Sequence, residues 1–286
     1  MEILKTYYRL TKPGIVYGNL ITAAAGFLLA CSQEIFWKLL VETLIGIGLV
    51  IAAACVFNNY LDKQIDAKMA RTRNRAIPAG KISPIAALAY ASILTVGGFT
   101  DLAVFTNWYV VGLGFIALYF YVVIYGISKR RTVHGTLVGS IPGATPPAAG
   151  YLAVTNHIDA AAILLFLAIV FWQMPHFYAI AMYRYKDYKA AGLPVLTVAK
   201  GMMAARRQII LYVIGFGATV VLLSIIGPAG YLYLVGGVVL TLFWLYRGLY
   251  KVSSLNDERW GRRMFLTSLI VSLGWSVLTA LGGRLP

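Results

Sequence analysis

The sequence predicts an all-helical protein that crosses a membrane many times, and three observations point to this fold class. First, 60% of the 286 residues are hydrophobic and only 12% are charged, whereas about a quarter of the residues in a soluble domain are charged. Second, apolar stretches long enough to span a bilayer follow one another along the chain. Third, the basic residues gather in alternate connections between these stretches. The apolar content excludes a disordered chain, and two cysteines are too few for a disulfide scaffold.

The first element of the prediction is the set of spans. A spanning helix needs about 20 mostly apolar residues, and the sequence contains nine such stretches. They cover residues 14–31, 36–58, 84–105, 107–127, 134–154, 160–183, 208–227, 229–247 and 264–283. The divisions between the third and fourth spans and between the seventh and eighth depend on short breaks, at Thr106-Asn107 and Gly227-Pro228.

The distribution of lysine and arginine orients these spans. With a cytoplasmic N-terminus, all but two of the 25 basic residues fall on the cytoplasmic side, the exceptions being Lys38 and Arg284. Positive residues in short loops favour the cytoplasm, so we predict an inner N-terminus and an outer C-terminus. The net charge of +15 then reflects topology and gives no reason to expect a nucleic-acid partner. We expect one transmembrane domain over residues 1–286, in the bacterial cytoplasmic membrane.

The span over residues 134–154 is unusual because it contains prolines and glycines. Pro142, Pro146 and Pro147 interrupt its backbone hydrogen bonding, so the helix should bend and the freed carbonyls should find partners inside the protein. The bend could simply fit the helix to its neighbours, or this span could form the wall of a cavity. The sequence leaves both alternatives open.

Three polar residues at the cytoplasmic end of the second span form the main candidate site. Asn58, Asp62 and Asp66 are spaced four residues apart, so on one helix they form a stripe about 12 Å long. Stacked carboxylates near a bilayer repel each other and are poorly hydrated, which a bound cation would relieve. Oxygen ligands of this kind indicate Mg²⁺, which typically takes one or two carboxylates together with phosphate oxygens.

Basic residues follow this stripe directly. They are Lys68, Arg71, Arg73 and Arg75, and the segment ends at Pro78 and Gly80. Arginine side chains bind phosphate oxygens in a forked geometry, so carboxylates followed by guanidiniums are typical of a site for a metal-bound diphosphate. The alternative is a loop placed by its charge, in which the two aspartates pair with basic neighbours.

A second polar segment lies after the sixth span. Tyr183, Lys186 and Asp187 again place a carboxylate among basic residues, four spans after the first segment, which hints at an internal duplication around one cavity. Within the sixth span, His176 follows Pro175. A polar residue inside the membrane is a functional candidate, but a histidine can also bond a carbonyl freed by proline. Neither His134 nor His157 has such a setting, and no His/Cys cluster predicts a zinc site.

The first segment resembles the first motif of the intramembrane prenyltransferase superfamily, in which Asn58-x-x-x-Asp62-x-x-x-Asp66 is followed by Arg71-Thr72-x-x-Arg75. Residues 183–187 resemble the second motif, Tyr-x-x-Lys-Asp-x-x-x-Asp. Further stretches are similar to the branch that farnesylates heme. They are residues 10–14, 139–147, 172–176, 185–188 and 194–196. The last aspartate of the second motif is Ala191 here, a departure that favours the heme branch and leaves Asp187 as the only acid of that motif.

The resemblance implies nine helices around a central cavity near the cytoplasmic face, and a reaction. A farnesyl group would pass from farnesyl diphosphate to a vinyl group of heme B, giving heme O and pyrophosphate. The implied metal ligands and catalytic residues are Asn58, Asp62, Asp66 and Asp187, with Mg²⁺ as cofactor. The implied substrate-binding residues are Arg71, Arg75, Lys186, Tyr183 and His176, the last either orienting the porphyrin or binding its iron. Proteins of terminal oxidase assembly or of heme A synthesis are the implied partners, beside membrane lipid.

Three alternatives stay open. Within the superfamily, the acceptor could be an aromatic quinone precursor. In a different class, nine spans with polar ends could form a transporter of an anionic substrate, although transporters usually place charge near the middle of the membrane. A structural subunit of a respiratory complex would give no reason for the spacing of the aspartates.

Overall fold

The computed structural model describes residues 2–31, 34–69, 72–250 and 256–284, and every regular element in these ranges is helical. A long helix follows each of the nine predicted stretches. These helices are α1 (Pro13–Ala30), α2 (Trp37–Leu61), α3 (Pro84–Phe105), α4 (Trp108–Arg131), α5 (Gly135–Thr155), α6 (Ala160–Tyr183), α7 (Gly201–Ile226), α8 (Tyr231–Leu249) and α9 (Asp257–Gly282). Short helices cover Glu2–Leu10, Lys63–Lys68, Tyr185–Ala190 and Leu196–Ala199. The predicted all-helical class is confirmed for the described residues.

Eight of the described helices are long and apolar enough to cross a membrane. The remaining long helix, α5, has 21 residues, but glycine, proline, serine and threonine make it less apolar. Most of its residues between Ser140 and Ala153 are buried by neighbouring helices. Its small and polar residues are therefore mostly covered by neighbouring helices. That α5 crosses the membrane, and that the chain has the predicted orientation, stay predictions.

Two helices begin earlier than the sequence predicts. Helix α7 begins at Gly201 and α9 at Asp257, whereas the apolar stretches begin at residues 208 and 264. Charged residues such as Arg206 end an apolar stretch, but they do not interrupt helical hydrogen bonding. The start of α9 is also capped, because the Asn256 side chain accepts a hydrogen bond of 2.9 Å from the Arg259 backbone amide. Apolarity therefore located the spans but not their charged ends.

Helix α5 stays continuous through its three prolines. The Thr145 hydroxyl donates to the carbonyl of Pro142 at 2.9 Å, which replaces the amide that Pro146 lacks. The Gln173 amide donates to the carbonyl of Ser140 at 3.0 Å. One face of α5, including Gly139 and Gly143, lines a cavity, so of the two alternatives the cavity wall describes this helix.

Helices α1 and α5 approach each other closely through glycines. A Cβ atom added to Gly26 would overlap the carbonyl oxygen of Pro147, and one added to Gly150 would overlap that of Ala23. These obstacles are backbone atoms, so a side chain cannot move aside to make room. The contact holds α5 in position as the cavity wall.

We therefore expect Gly150→Ala to destabilise the fold. Overpacking of a close contact costs about 1–3 kcal/mol, and more where backbone must shift, so the variant should unfold at a lower temperature in detergent than the unsubstituted protein. Gly112→Ala is the matched control, because a Cβ there meets no atom of a described residue within 4 Å. Equal melting temperatures for the two variants would contradict the close α1–α5 contact.

Candidate active site

A cavity of about 530 Å³ lies among helices α1, α2, α4, α5, α6 and α9. Most of its lining is apolar or aromatic, and a few polar side chains point into it. The polar and aromatic side chains of the lining include those of Asn19, Cys55, Tyr121, Tyr125, Lys129, Trp172, Gln173, His176 and Tyr188. A concave, mostly apolar cavity with a few polar groups is typical of a small-molecule site.

The Asn58, Asp62 and Asp66 side chains lie just beyond the Cys55 end of this cavity. The sequence predicts them on one helix, but α2 ends at Leu61 and Asp66 belongs to the short helix Lys63–Lys68. The spacing survives because the Asp62 amide bonds the Asn58 carbonyl at 2.9 Å and the Asp66 amide bonds the Asp62 carbonyl at 2.8 Å. All three residues are buried, with exposed fractions of 4%, 9% and 4%.

Each of these three side chains has its own basic partner. Asp62 accepts hydrogen bonds from Lys129 at 2.5 Å and from Arg130 at 3.3 Å. Both carboxylate oxygens of Asp66 accept from Arg75, at 2.9 and 2.8 Å. Among the described side chains, the two carboxylates therefore share no basic partner, and the pairing with basic neighbours that the sequence left open as an alternative is present.

The third residue, Asn58, is paired with the chain segment before α1. Its Oδ1 accepts a hydrogen bond of 2.8 Å from the Nζ of Lys12. Burial lowers the pKa of the Lys12 amino group, while the nearby Asp62 and Asp66 carboxylates act in the opposite direction. An anion bound here would favour the charged form of Lys12 further.

Sequence reasoning gave no site role to Lys129, nor to Lys12 and Arg130, because it counted all three as cytoplasmic charges. Lys129 lines the cavity and pairs with Asp62, so it joins the apolar chamber to the polar helix end. Tyr121, Tyr125 and Lys129 are four residues apart along α4, and all three line the cavity. Between Phe120 and Ile124 the helix contains a π-helical turn, a feature frequent at functional sites. The four-residue spacing of Tyr121, Tyr125 and Lys129 is the feature of the sequence that could have identified Lys129 as a lining residue.

The segment after Asp66 is only partly described. Arg71, which the sequence assigns to substrate binding, lies outside the described residues. The Thr72 hydroxyl donates to the Asp66 carbonyl at 2.9 Å, which ties the segment back to the aspartate. Arg75 is thereby held beside Asp66, with its side chain about one-third exposed (37%).

The second motif lies on the short helix Tyr185–Ala190, after the end of α6. Tyr188 lines the cavity, so this helix borders it. Among the described residues, no hydrogen bond or ion pair of 4 Å or less connects Asp187 or Lys186 with the first motif. Tyr183 packs against Phe265 of α9, with ring centres 5.5 Å apart. The structure thus places the second motif at the cavity without joining it directly to Asp62 or Asp66.

His176 of α6 lines the cavity. Its Nδ1 is 2.7 Å from the hydroxyl of Ser268 on α9, and its ring stacks on Trp172 with centres 4.8 Å apart. The histidine therefore bonds a neighbouring helix and does not bond a carbonyl freed by Pro175. Of the three histidines, only this one lines the cavity; both His134 and His157 are exposed.

The oxygen ligands fit Mg²⁺ only if phosphate completes the set. Among the described residues, no three His, Cys, Asp or Glu side chains group closely enough to hold a metal. Asp62 and Asp66, with the amide of Asn58, offer the hard oxygen atoms that Mg²⁺ prefers. Among the described residues, the buried Nδ2 of Asn58 has no hydrogen-bond partner, and as a donor it could bind a phosphate oxygen.

Residues 19–270 match the UbiA prenyltransferase family. The helical bundle and its cavity, bordered by acidic and basic side chains at one end, define an intramembrane prenyltransferase, and the chain belongs to the UbiA prenyltransferase family. Membership of this family, together with eight apolar helices, makes it a multi-pass membrane protein.

Curated relatives are similar over nearly the whole chain. Protoheme IX farnesyltransferase 2 of Chromobacterium violaceum is 47% identical over 99% of this chain and 94% of that protein. Protoheme IX farnesyltransferase of Edwardsiella ictaluri is 44% identical over 98% of this chain and 95% of that protein. The sequence motifs resemble the heme-farnesylating branch of the family, and the names of these relatives place them in the same branch.

Solved structures share the fold at much lower sequence identity. A structure of digeranylgeranylglyceryl phosphate synthase aligns with a TM-score of 0.78 and 20% identity, over 99% of both chains. A UbiA homologue from Archaeoglobus fulgidus bound to GPP and Mg²⁺ aligns with a TM-score of 0.65 and 16% identity, over 96% of this chain and 99% of that chain. At these identities the likeness concerns the fold alone.

Proposed function

We propose that this protein transfers the farnesyl group of farnesyl diphosphate to a vinyl group of heme B, giving heme O and pyrophosphate. The observation that carries the proposal is the position of Lys129, which contacts Asp62 and also lines the apolar cavity. A prenyl diphosphate has the same two parts, an anionic head and an apolar tail. The names of the near-full-length relatives supply the acceptor.

Charge at the polar end favours an anionic substrate. Four basic side chains contact two acids and one amide there, so basic groups outnumber acids. The basic residues are Lys12, Arg75, Lys129 and Arg130. Such groups, held in place before the reaction, stabilise the negative charge that develops on departing pyrophosphate. We propose that Arg71 and Lys186 add to this set.

Mg²⁺ would be held by Asn58, Asp62 and Asp66 together with the diphosphate, and Asp187 would act from the second motif through water. The metal supplies Lewis-acid stabilisation of the diphosphate oxygens. Ala191 takes no part in this, because it has no carboxylate. The pairing of Asp62 with Lys129 would then give way as the diphosphate attracts the lysine and the acid turns to the metal.

The apolar walls suit the cationic stage of the reaction. The allylic C–O bond breaks with its electron pair leaving on pyrophosphate, and the farnesyl cation remains. Aromatic faces such as those of Tyr121, Tyr125 and Trp172 stabilise a cation where water is excluded. A vinyl group of heme forms the new C–C bond, water adds to the resulting benzylic-type cation, and one proton is released. Tyr183 would support this wall through Phe265.

The diphosphate end of the cavity would face the cytoplasm. This assignment rests on the basic residues near the α2 and α4 ends, since positive residues favour that side. Farnesyl diphosphate would then enter with its head at the inner membrane surface and its tail in the bilayer.

The test uses the purified full-length protein in lipid with farnesyl diphosphate, Mg²⁺ and either heme B or 4-hydroxybenzoate. We expect heme O, identified by mass, and pyrophosphate release that requires Mg²⁺ and heme B together. Prenylated 4-hydroxybenzoate without heme O would show a quinone-precursor enzyme instead. Absence of both products, with uptake of an anion into vesicles, would indicate the transporter and overturn the proposal.

A further inference from the structure

Three arginines from three helices come together where α7, α8 and α9 pack against one another. Arg206 lies in the second turn of α7, Arg247 in the last turn of α8 and Arg263 in the second turn of α9. The charges of Arg206 and Arg247 both act on the Arg263 guanidinium, so the three groups are neighbours. None of the three lines the cavity of the candidate active site.

These arginines have too few acids to balance them. Among the described residues, only Asp257 forms an ion pair with the cluster, at 2.9 Å from the Nη2 of Arg206. Arg263 donates to a neutral group, the carbonyl of Tyr250, at 2.6 Å. The guanidinium of Arg247 makes neither a hydrogen bond nor an ion pair with the part of the chain that the structure describes. Three guanidiniums against one carboxylate leave two positive charges without an acid in contact.

The imbalance is unfavourable because the cluster is partly shielded from water. The Arg206 side chain is only 13% exposed. The Nε atoms of Arg247 and Arg263 are buried and have no partner among the described residues. Like charges repel more strongly where water is excluded, and each disfavours the charged form of the others. An anion bound between these guanidiniums would relieve the repulsion.

Packing holds the cluster in place before any ligand binds. The Arg206 guanidinium lies over the ring of Trp260, 5.0 Å from its centroid. Trp260 is buried, and its Nε1 donates to the carbonyl of Gly248 at 3.0 Å. Gly248 follows Arg247 directly, so this contact fixes the end of α8 against the start of α9. Guanidiniums bind phosphate oxygens in a forked geometry, and fixing them beforehand lowers the entropic cost of binding.

The surface beside the cluster suits a lipid. Tyr246 and Tyr250 stack with ring centres 5.3 Å apart, and both are exposed. Phe243 and Leu266, about one turn from Arg247 and Arg263 on α8 and α9, are exposed as well. Aromatic side chains gather at membrane–water interfaces, and basic pockets between membrane helices bind acidic lipid headgroups. Free phosphate would gain nothing from these apolar side chains, whereas a lipid would place its acyl chains against them.

We propose that Arg247 and Arg263, supported by Arg206, bind the phosphate group of an anionic phospholipid at the end of α8. The guanidiniums donate to the phosphate oxygens, and the acyl chains lie against α8 and α9. A zwitterionic lipid such as phosphatidylcholine fits less well, because its ammonium group would approach a positive cluster. The inference is independent of the proposed function, since no arginine of this site lines the cavity.

The experiment measures lipid binding to the purified full-length protein in detergent by native mass spectrometry. Phosphatidylglycerol, phosphatidylcholine and inorganic phosphate are titrated separately. We expect phosphatidylglycerol to bind more tightly than phosphatidylcholine. Arg247→Gln should weaken phosphatidylglycerol binding about tenfold or more, because it removes a charged hydrogen-bond donor, and should leave phosphatidylcholine binding unchanged.

Arg262→Gln is the matched control. It removes the same charge from the residue next to Arg263, but the Arg262 side chain is exposed, and exposed charges contribute little. Its affinity for phosphatidylglycerol should therefore stay within about twofold of that of the unsubstituted protein. Arg247→Lys keeps the charge and loses the forked geometry, so its affinity should lie between those of the unsubstituted protein and Arg247→Gln.

Melting temperatures in detergent without added lipid separate loss of binding from loss of fold. Arg247→Gln removes an unbalanced charge, so its melting temperature should not fall; if it fails to fold, Arg247→Lys supplies the same comparison with Arg262→Gln. Equal phosphatidylglycerol affinity for the unsubstituted protein and the Arg247 variants would overturn the inference. An equal loss in Arg262→Gln would overturn it too, as would binding of inorganic phosphate without a preference for phosphatidylglycerol. Heme O formation tests the proposed function separately.

Discussion

Asp62→Asn is expected to lower kcat by about 10²- to 10³-fold, because in the proposed mechanism the Asp62 carboxylate would help to hold the Mg²⁺ that stabilises the departing diphosphate. The variant is preferable to Asp62→Ala. Asp62 is buried and bonds Lys129 at 2.5 Å, and alanine would leave that lysine buried without a partner. The amide keeps the shape and one acceptor, so the fold should persist. Steady-state pyrophosphate release with farnesyl diphosphate and heme B measures the effect.

The matched control is Asp257→Asn, which also removes one carboxylate from an ion pair. Asp257 pairs with Arg206 at 2.9 Å, at the start of α9 and away from the lining of the cavity. The kcat of the Asp257→Asn variant should stay near that of the unsubstituted protein. If Asp62→Asn retains full kcat at saturating farnesyl diphosphate and Mg²⁺, Asp62 has no part in the mechanism.

Lys129→Met should lower kcat/KM for farnesyl diphosphate by about 30- to 1,000-fold. Truncating one member of a buried, hydrogen-bonded charge pair costs about 2–4 kcal/mol, and here the lost group also faces the substrate cavity. Methionine keeps the apolar stem, so the wall of the cavity is retained. Kinetics at varied farnesyl diphosphate concentration separate KM from kcat, and both should change because the ammonium would contact the leaving diphosphate.

Arg131→Met is the control for this lysine. It removes one positive charge from the same helix end, but Arg131 is exposed and does not line the cavity. In the double variant Asp62→Asn with Lys129→Met, the combined loss should be smaller than the product of the single losses, because the two residues act as a pair. Fully multiplicative losses would mean that the two side chains act independently.

Sequence reasoning located the spans because each depends on local properties. In a bilayer every backbone group must be bonded within the helix, so a span is an apolar run of sufficient length. The same reasoning placed the starts of α7 and α9 too late, because charged residues occupy their first turns. It also predicted one helix through Asp62, where the structure has two. Those ends depend on capping and on neighbours, as the Asn256 cap illustrates.

The candidate site likewise has features that the sequence predicted and others that only the folded protein shows. The spacing along the chain identified Asn58, Asp62 and Asp66 as candidate site residues. Lys129 was used only as a cytoplasmic charge in predicting the topology, and it was given no role in the site. Lys129 and Asp62 are 67 positions apart, and His176 and Ser268 are 92 apart. No spacing rule reaches across such separations, because these contacts exist only once α2, α4, α6 and α9 have packed.

The sequence by itself therefore determined the class of fold, the run of spans and the acidic stripe, since hydrophobic length and helical periodicity are properties of neighbouring residues. The tertiary structure decided which basic residue faces each acid, where the cavity lies and which side chain the His176 ring contacts. These features depend on side chains from different helices meeting at distances of about 3 Å, and small changes in helix packing would alter them without altering the pattern of the sequence.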